Sequence, residues 1–136
     1  MKKTPLLSFL IALAGIFLSA CSGAPADIAG EWRLVSYGAA SNPEPAAGET
    51  SIHFGADGQL TGNVGCNSFS GEYRLSGAKI EFGPIMSTLM ACLGPISEQE
   101  GAVFAVFANA SPFALTGDAL TITSADGGMV IVLARK

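Results

Sequence analysis

The chain has 136 residues, enough for one domain around one modest core. Its formal net charge is −4, from seven Lys and Arg against 11 Asp and Glu, which argues against the broad basic face that nucleic acid or anionic lipid would require. Charged residues make up only 13% and glycine contributes 17 positions, a balance that predicts β structure with short, tight connections.

The N-terminus reads first as an address. Met1-Lys2-Lys3 is positive, and Leu6 to Leu18 is an apolar run broken only by Ser8 and Gly15. That run has the length of a signal-peptide core and is short for a membrane span. Leu18-Ser19-Ala20-Cys21 resembles the bacterial lipobox. The resemblance implies that residues 1–20 form a lipoprotein signal peptide and that Cys21 becomes the first mature residue, carrying acyl chains such as palmitate. Two or three chains anchor a protein stably, at ~0.8 kcal/mol per buried CH₂. Ser22, not Asp, follows the cysteine, which in a host with two membranes implies sorting to the outer membrane, facing the periplasm. Without Lys2 and Lys3, 11 acidic residues face five basic ones, and the net charge becomes −6.

Residues 21–29 are small and read as a lipidated tether, with the domain over 30–136. Glu31 to Tyr37 reads as a strand with Trp32 and Leu34 on one face, and Gly38 to Glu49 as an exposed loop. Ser51–Phe54 and Gln59–Val64 read as a pair of strands joined at Ala56-Asp57-Gly58. Phe69 to Leu75 alternates as a strand and turns at Ser76-Gly77 into a strand that carries Ile80 and Phe82 and stops at Pro84. Met86 to Pro95 reads as irregular. Ser97-Glu98-Gln99-Glu100 fits a capping box, with Ser97 as N-cap, ahead of a helix whose apolar stripe is Val103, Phe104, Phe107 and Ala108. Strands over Ala119–Ser124 and Met129–Ala134 close the chain around Asp126-Gly127-Gly128. The stretches Tyr73–Phe82 and Phe113–Ile122 share one pattern, aromatic-x-Leu-(Ser/Thr)-Gly-x-x-aliphatic-x-apolar, which predicts two similar strand pairs.

With Cys21 assigned to the lipid, Cys66 and Cys92 remain. In an oxidising compartment they either bond or stay as reduced core thiols. A bond would close a loop of about 27 residues, to which the chain-entropy model assigns roughly 3.5 kcal/mol.

The run Gly62 to Tyr73, with Gly65-Cys66-Asn67 at its centre, together with Thr88-Leu89-Met90-Ala91-Cys92 and Trp32-x-Leu34, resembles the META (heat shock protein HslJ-like) domain family. Ile52-x-Phe54 and Leu120-x-Ile122 fit the same pattern, and the resemblance covers about residues 30–134. It implies an α+β fold, a small antiparallel sheet curled into a partial barrel with one packed helix. It implies a Cys66–Cys92 disulfide and makes Gly65, Asn67, Thr88 and Met90 motif residues. It carries over no catalytic residue, and it associates the family with export and with heat or drug tolerance.

Residue chemistry is consistent with that silence. A thiol nucleophile at Cys66 needs a base, and the one histidine, His53, lies in no nucleophile signature. His53, Cys66 and Cys92 lack metal-ligand spacing, and the carboxylates form no calcium loop. Nothing marks a cofactor. The expectation is a non-enzymatic envelope lipoprotein, structural or stress-protective, whose partners are the membrane through Cys21 and an envelope protein or small hydrophobic ligand, not nucleic acid. The alternative is a small-ligand-binding or protease-inhibitor-like periplasmic barrel with Trp32 and Tyr73 lining its mouth.

Overall fold

Alternating apolar residues build a sheet that curls until it meets itself. The computed structural model describes residues 26–136; the expected signal peptide and lipobox, with Cys21, lie outside the described residues. In chain order the strands are β1 (Gly30–Ala39), β2 (Glu44–Pro45), β3 (Ser51–Phe54), β4 (Gln59–Asn63), β5 (Ser68–Ser76), β6 (Lys79–Phe82) and β7 (Met86–Ser87), then β8 (Ser111–Thr116), β9 (Ala119–Thr123) and β10 (Met129–Arg135). Helix α1 (Pro95–Val106) lies between β7 and β8. All pairings are antiparallel, running β10-β9-β8-β6-β5-β4-β3-β1, and β10 also pairs with β1. That last pairing closes the sheet, so the barrel has eight strands and is closed rather than partial, and the fold is mostly β with one helix. Closure is firm at β1–β10, from Trp32↔Arg135 to Ala39↔Met129, and thin at β6–β8, where two residue pairs meet.

Strand β1 shows how the sequence sets the inward face. Trp32, Leu34 and Tyr37 are all buried, although Leu34 and Tyr37 are three residues apart and simple alternation would put them on opposite faces. A bulge between Leu34 and Ser36 leaves Val35 as the extra residue and restores the face. Ile52, Phe54, Leu60, Ile80, Leu120, Ile122, Ile131 and Leu133 complete an interior filled by side chains. The two similar stretches fold alike: Leu75↔Ile80 and Leu115↔Leu120 pair identically around Gly77 and Gly117, both at φ 59°. Only glycine is comfortable there, and positive φ at the first turn residue alone is the type II′ pattern.

Several expectations need correction. The helix begins at Pro95, two residues before Ser97, its cap is Gly94 at φ 69°, and no side chain caps it. Proline suits the first helical position because its missing N–H would have been unsatisfied there. The domain begins before Gly30: Ile28 is 1% exposed, and its carbonyl accepts the Trp32 indole N–H at 2.9 Å. Two short strands, β2 and β7, lie in stretches that read as loop, and β8 starts directly at Ser111-Pro112.

Candidate functional site

The motif residues meet at one end of the barrel, where the β4–β5 connection, the segment after β7 and helix α1 converge. Gly65 makes the turn at φ 113°, a backbone conformation that favours glycine, and a Cβ there would press on the Ile96 side chain, 2.9 Å from its Cδ1. Asn63 holds the turn locally: its Oδ1 accepts the Gly65 N–H and its Nδ2 donates to the Cys66 carbonyl. Cys66 is disulfide-bonded to Cys92 with Cα atoms 6.3 Å apart, inside the range a disulfide spans.

Asn67 is the centre of this end. It is 5% exposed, and every polar atom of its side chain is used. Its Oδ1 accepts the Thr88 hydroxyl at 2.7 Å and the Met90 N–H at 2.8 Å. Its Nδ2 donates to the Met90 carbonyl at 3.2 Å and to Glu100 Oε1 at 2.7 Å. Its backbone N–H donates to Glu100 Oε2 at 2.7 Å. The Glu100 carboxylate thus grips Asn67 with both oxygens, and charge-assisted bonds of this kind are stronger than neutral ones. Thr88 adds a two-way link with Ser68. An asparagine suits the position because it alone offers two acceptor sites and two donors in one short plane. It does so without positive φ, which among the described non-glycine residues does not occur.

The neighbouring helix residue Gln99 does the same for the β2–β3 connection. Fully buried, it accepts the Ala47 N–H at 2.8 Å and donates to the carbonyls of Ala47 and Val64 at 3.1 and 2.6 Å. Sequence reading missed both Gln99 and Glu100 as site residues, taking Glu100 for half of a capping box. No local signal marked them, because the Asn-bearing turn that Glu100 serves lies 33 residues earlier in the chain.

Other candidates are placed apart. His53 stands on the outer face of β3, Nδ1 3.0 Å from Glu31 Oε1, while Glu31 Oε2 accepts the Ser51 hydroxyl. A Cys66–His53 dyad is not assembled, since Cys66 spends its sulfur on Cys92. Trp32 lies in the core rather than at a mouth: it is fully buried, with the Arg135 guanidinium 4.3 Å from its ring centroid. Arg135 also donates to the carbonyls of Asp27 and Ala29, latching the N-terminal segment over that end of the barrel. Tyr73 is half-buried beside a shallow groove of about 220 Å³, stacks edge-on with Phe54, and donates to the Gly55 carbonyl at 2.7 Å. Burial, then Asp27 and Asp57, raise its pKa. Burial, then Glu44 and Glu98, do the same for Tyr37, whose hydroxyl donates to the Pro95 carbonyl. Among the described residues no group of three His, Cys, Asp or Glu is placed to hold a metal ion.

The META domain family profile matches residues 26–136, the whole of the described chain. The chain belongs to the META domain family. The match includes the segment that buries Ile28. No curated protein matches the chain. Among solved structures, the fold is shared with an NMR structure of a protein from Burkholderia xenovorans (TM-score 0.63, 21% identity, 79% of this chain and 81% of that one). A second NMR structure has a TM-score of 0.60 at 23% identity, over 76% and 86% of the two chains. A crystal structure of a DUF4847 family protein from Bacteroides vulgatus has a TM-score of 0.60 at 16% identity, over 79% and 93%. At these identities the likeness is one of fold. Within it, the META motifs Gly65-Cys66-Asn67 and Thr88-x-Met90-Ala91-Cys92 are two halves of one clasp.

Proposed function

We propose that this META domain is a non-enzymatic module of the cell envelope, carried on a lipid anchor at Cys21 and serving a structural or stress-protective role. The observation that carries this reading is the fate of the motif. Its polar atoms and its sulfurs are consumed holding the β4–β5 turn, the segment after β7 and α1 together, which leaves none poised toward an open cleft. Nucleophilic chemistry at Cys66 would need a thiolate and a base within reach, and the bonded sulfur supplies neither. The alternative of a ligand held inside the barrel loses ground because Trp32, Phe54, Leu60 and Ile131 fill the space such a ligand would take. The protective role follows the family association with heat and drug tolerance, and an anchored, stapled domain suits an exposed compartment. The test is the intact mass of the protein extracted from the producing cell's membranes. Loss of residues 1–20 plus acyl mass on a Cys21 peptide supports the reading; a full-length or non-acylated chain refutes the anchor.

A further inference from the structure

The clasp presents an apolar tip. Four of the six large hydrophobic residues that stand exposed in the described chain fall in one short segment: Met86 at 71%, Leu89 at 96%, Met90 at 60% and Leu93 at 90%. No charged side chain occurs between Glu81 and Glu98. Such clustering is unusual for a surface facing only water. The segment is also held still, by the Thr88–Ser68 link, by both backbone bonds of Met90 to Asn67, and by the disulfide at Cys92. The entropy of ordering it is therefore already spent on folding.

From this we infer that the Met86–Leu93 tip inserts into the surface of a lipid bilayer, as a second membrane contact beside the anchor. A side chain 96% exposed touches almost nothing of its own molecule, so the tip is a protrusion. Two such tips meeting end to end would bury no more than these few side chains, below the roughly 800 Å² per partner of a stable interface. A bilayer needs no matching groove, because lipid flows around what enters it. The tip is short, and among the described residues no helix is long and apolar enough to cross a membrane, so the contact is interfacial.

The position of the N-terminus fits. Ala26 to Ala29 share a groove with Tyr73, Arg74 and Leu75 at one end of β5, and Thr88 pairs with Ser68 at the other. Leu75 lies seven steps along the strand from Ser68, ~23 Å at about 3.3 Å each. The five residues from Cys21 to Pro25 reach at most ~18 Å. An anchor at one end of β5 and the tip at the other lay that strand along one membrane. On this flank the Arg74–Glu81 ion pair is internally neutral and the exposed Glu72 beside it adds one negative charge. The two-point geometry rests on the anchor reading above; the insertion of the tip does not.

The test uses purified residues 26–136, which hold the entire barrel, its core and the disulfide but lack the leader and Cys21; cooperative unfolding of this segment is verified first. Sedimentation with phosphatidylcholine vesicles is expected to carry the protein down. Leu89→Asp/Leu93→Asp is expected to cut the bound fraction about tenfold, since binding scales with apolar area inserted. Those side chains are almost wholly exposed, so the fold survives the change. Vesicles enriched in phosphatidylglycerol should bind less at low salt, because the domain is acidic. Absence of sedimentation overturns the inference. So does binding that the double variant retains, or a dimer in analytical ultracentrifugation that the double variant dissolves while vesicles bind nothing. Acyl mass at Cys21 is measured separately, so failure of the tip and failure of the anchor are told apart.

Discussion

Asn67 decides how the motif is read at the scale of a single residue. Its two acceptor and two donor positions are matched one for one, so a near-isosteric change should be costly. Asn67→Asp keeps the acceptors for Thr88 and Met90 but sets a carboxylate against Glu100 and loses the donation to the Met90 carbonyl. The expected loss is about 3 kcal/mol or more, the scale for a buried group left wrongly paired. Chemical denaturation at unchanged m-value reads it. Lowering the pH should restore part of the loss, because a protonated carboxyl can donate again; a merely steric defect would show no such recovery. Glu100→Gln, which replaces one acceptor oxygen by a donor facing a donor, should cost ~1–3 kcal/mol by the same reasoning. Buried Tyr37 and half-buried Tyr73 add to the decline in stability at alkaline pH. Their pKa values are raised in the folded state, so folding favours the protonated phenol. The stability they contribute is whole below the ordinary tyrosine value of 10.0 and is lost as pH rises through the folded values. Tyr37→Phe should flatten that alkaline decline in a pH series of unfolding curves.

Among the elements, the hairpins were the most legible in the sequence and the clasp the least. Alternation at Ile52-x-Phe54 and Leu120-x-Ile122, and glycines at turn positions, place strands from local pattern alone. The bulge at Val35 was hidden because it changes which residues face inward without changing their character. Strand β7 was hidden because Met86-Ser87 gains its structure only by pairing with Phe69 and Ser70. The helix start was misread for a related reason: Glu100 has the right spacing for a capping box, yet a partner 33 residues away takes it. The β9–β10 hairpin has its own pH signature. Asp126 accepts the Ser124 hydroxyl at 2.6 Å and the Gly128 N–H at 3.0 Å, which hold its carboxyl below the usual carboxylate range. That contribution is present above the ordinary value of 3.8 and vanishes as pH falls through the lower folded one. Amide protection at Gly128 and Met129 should therefore fade in acid before the rest of the barrel opens.

For the molecule as a whole, the two ends of the barrel are closed by different means, and only one carries the family motif. At the N-terminal end Ile28 seals the core and Arg135 latches the segment over Trp32. Ile28→Ala should destabilise by about 3 kcal/mol, a typical cost for truncating a fully buried aliphatic side chain, even though residues 21–29 read as a mere tether. The sequence could not distinguish tether from plug, since Ala-Asp-Ile-Ala shows no periodicity and its partner Arg135 lies at the far end of the chain. Barrel closure was likewise beyond local reading, because β1 and β10 meet across nearly the full length of the domain. The recognised motifs, by contrast, paired Cys66 with Cys92 correctly, and the structure adds Asn67, Thr88 and Met90 to the same clasp through hydrogen bonds. The central claim is that this clasp is structural, with its sulfurs joined. Alkylation of the unreduced mature protein followed by peptide mapping tests it most directly. The account predicts no alkylated cysteine and one cross-linked peptide pair containing Cys66 and Cys92; two alkylated thiols in the folded, unreduced protein would contradict it.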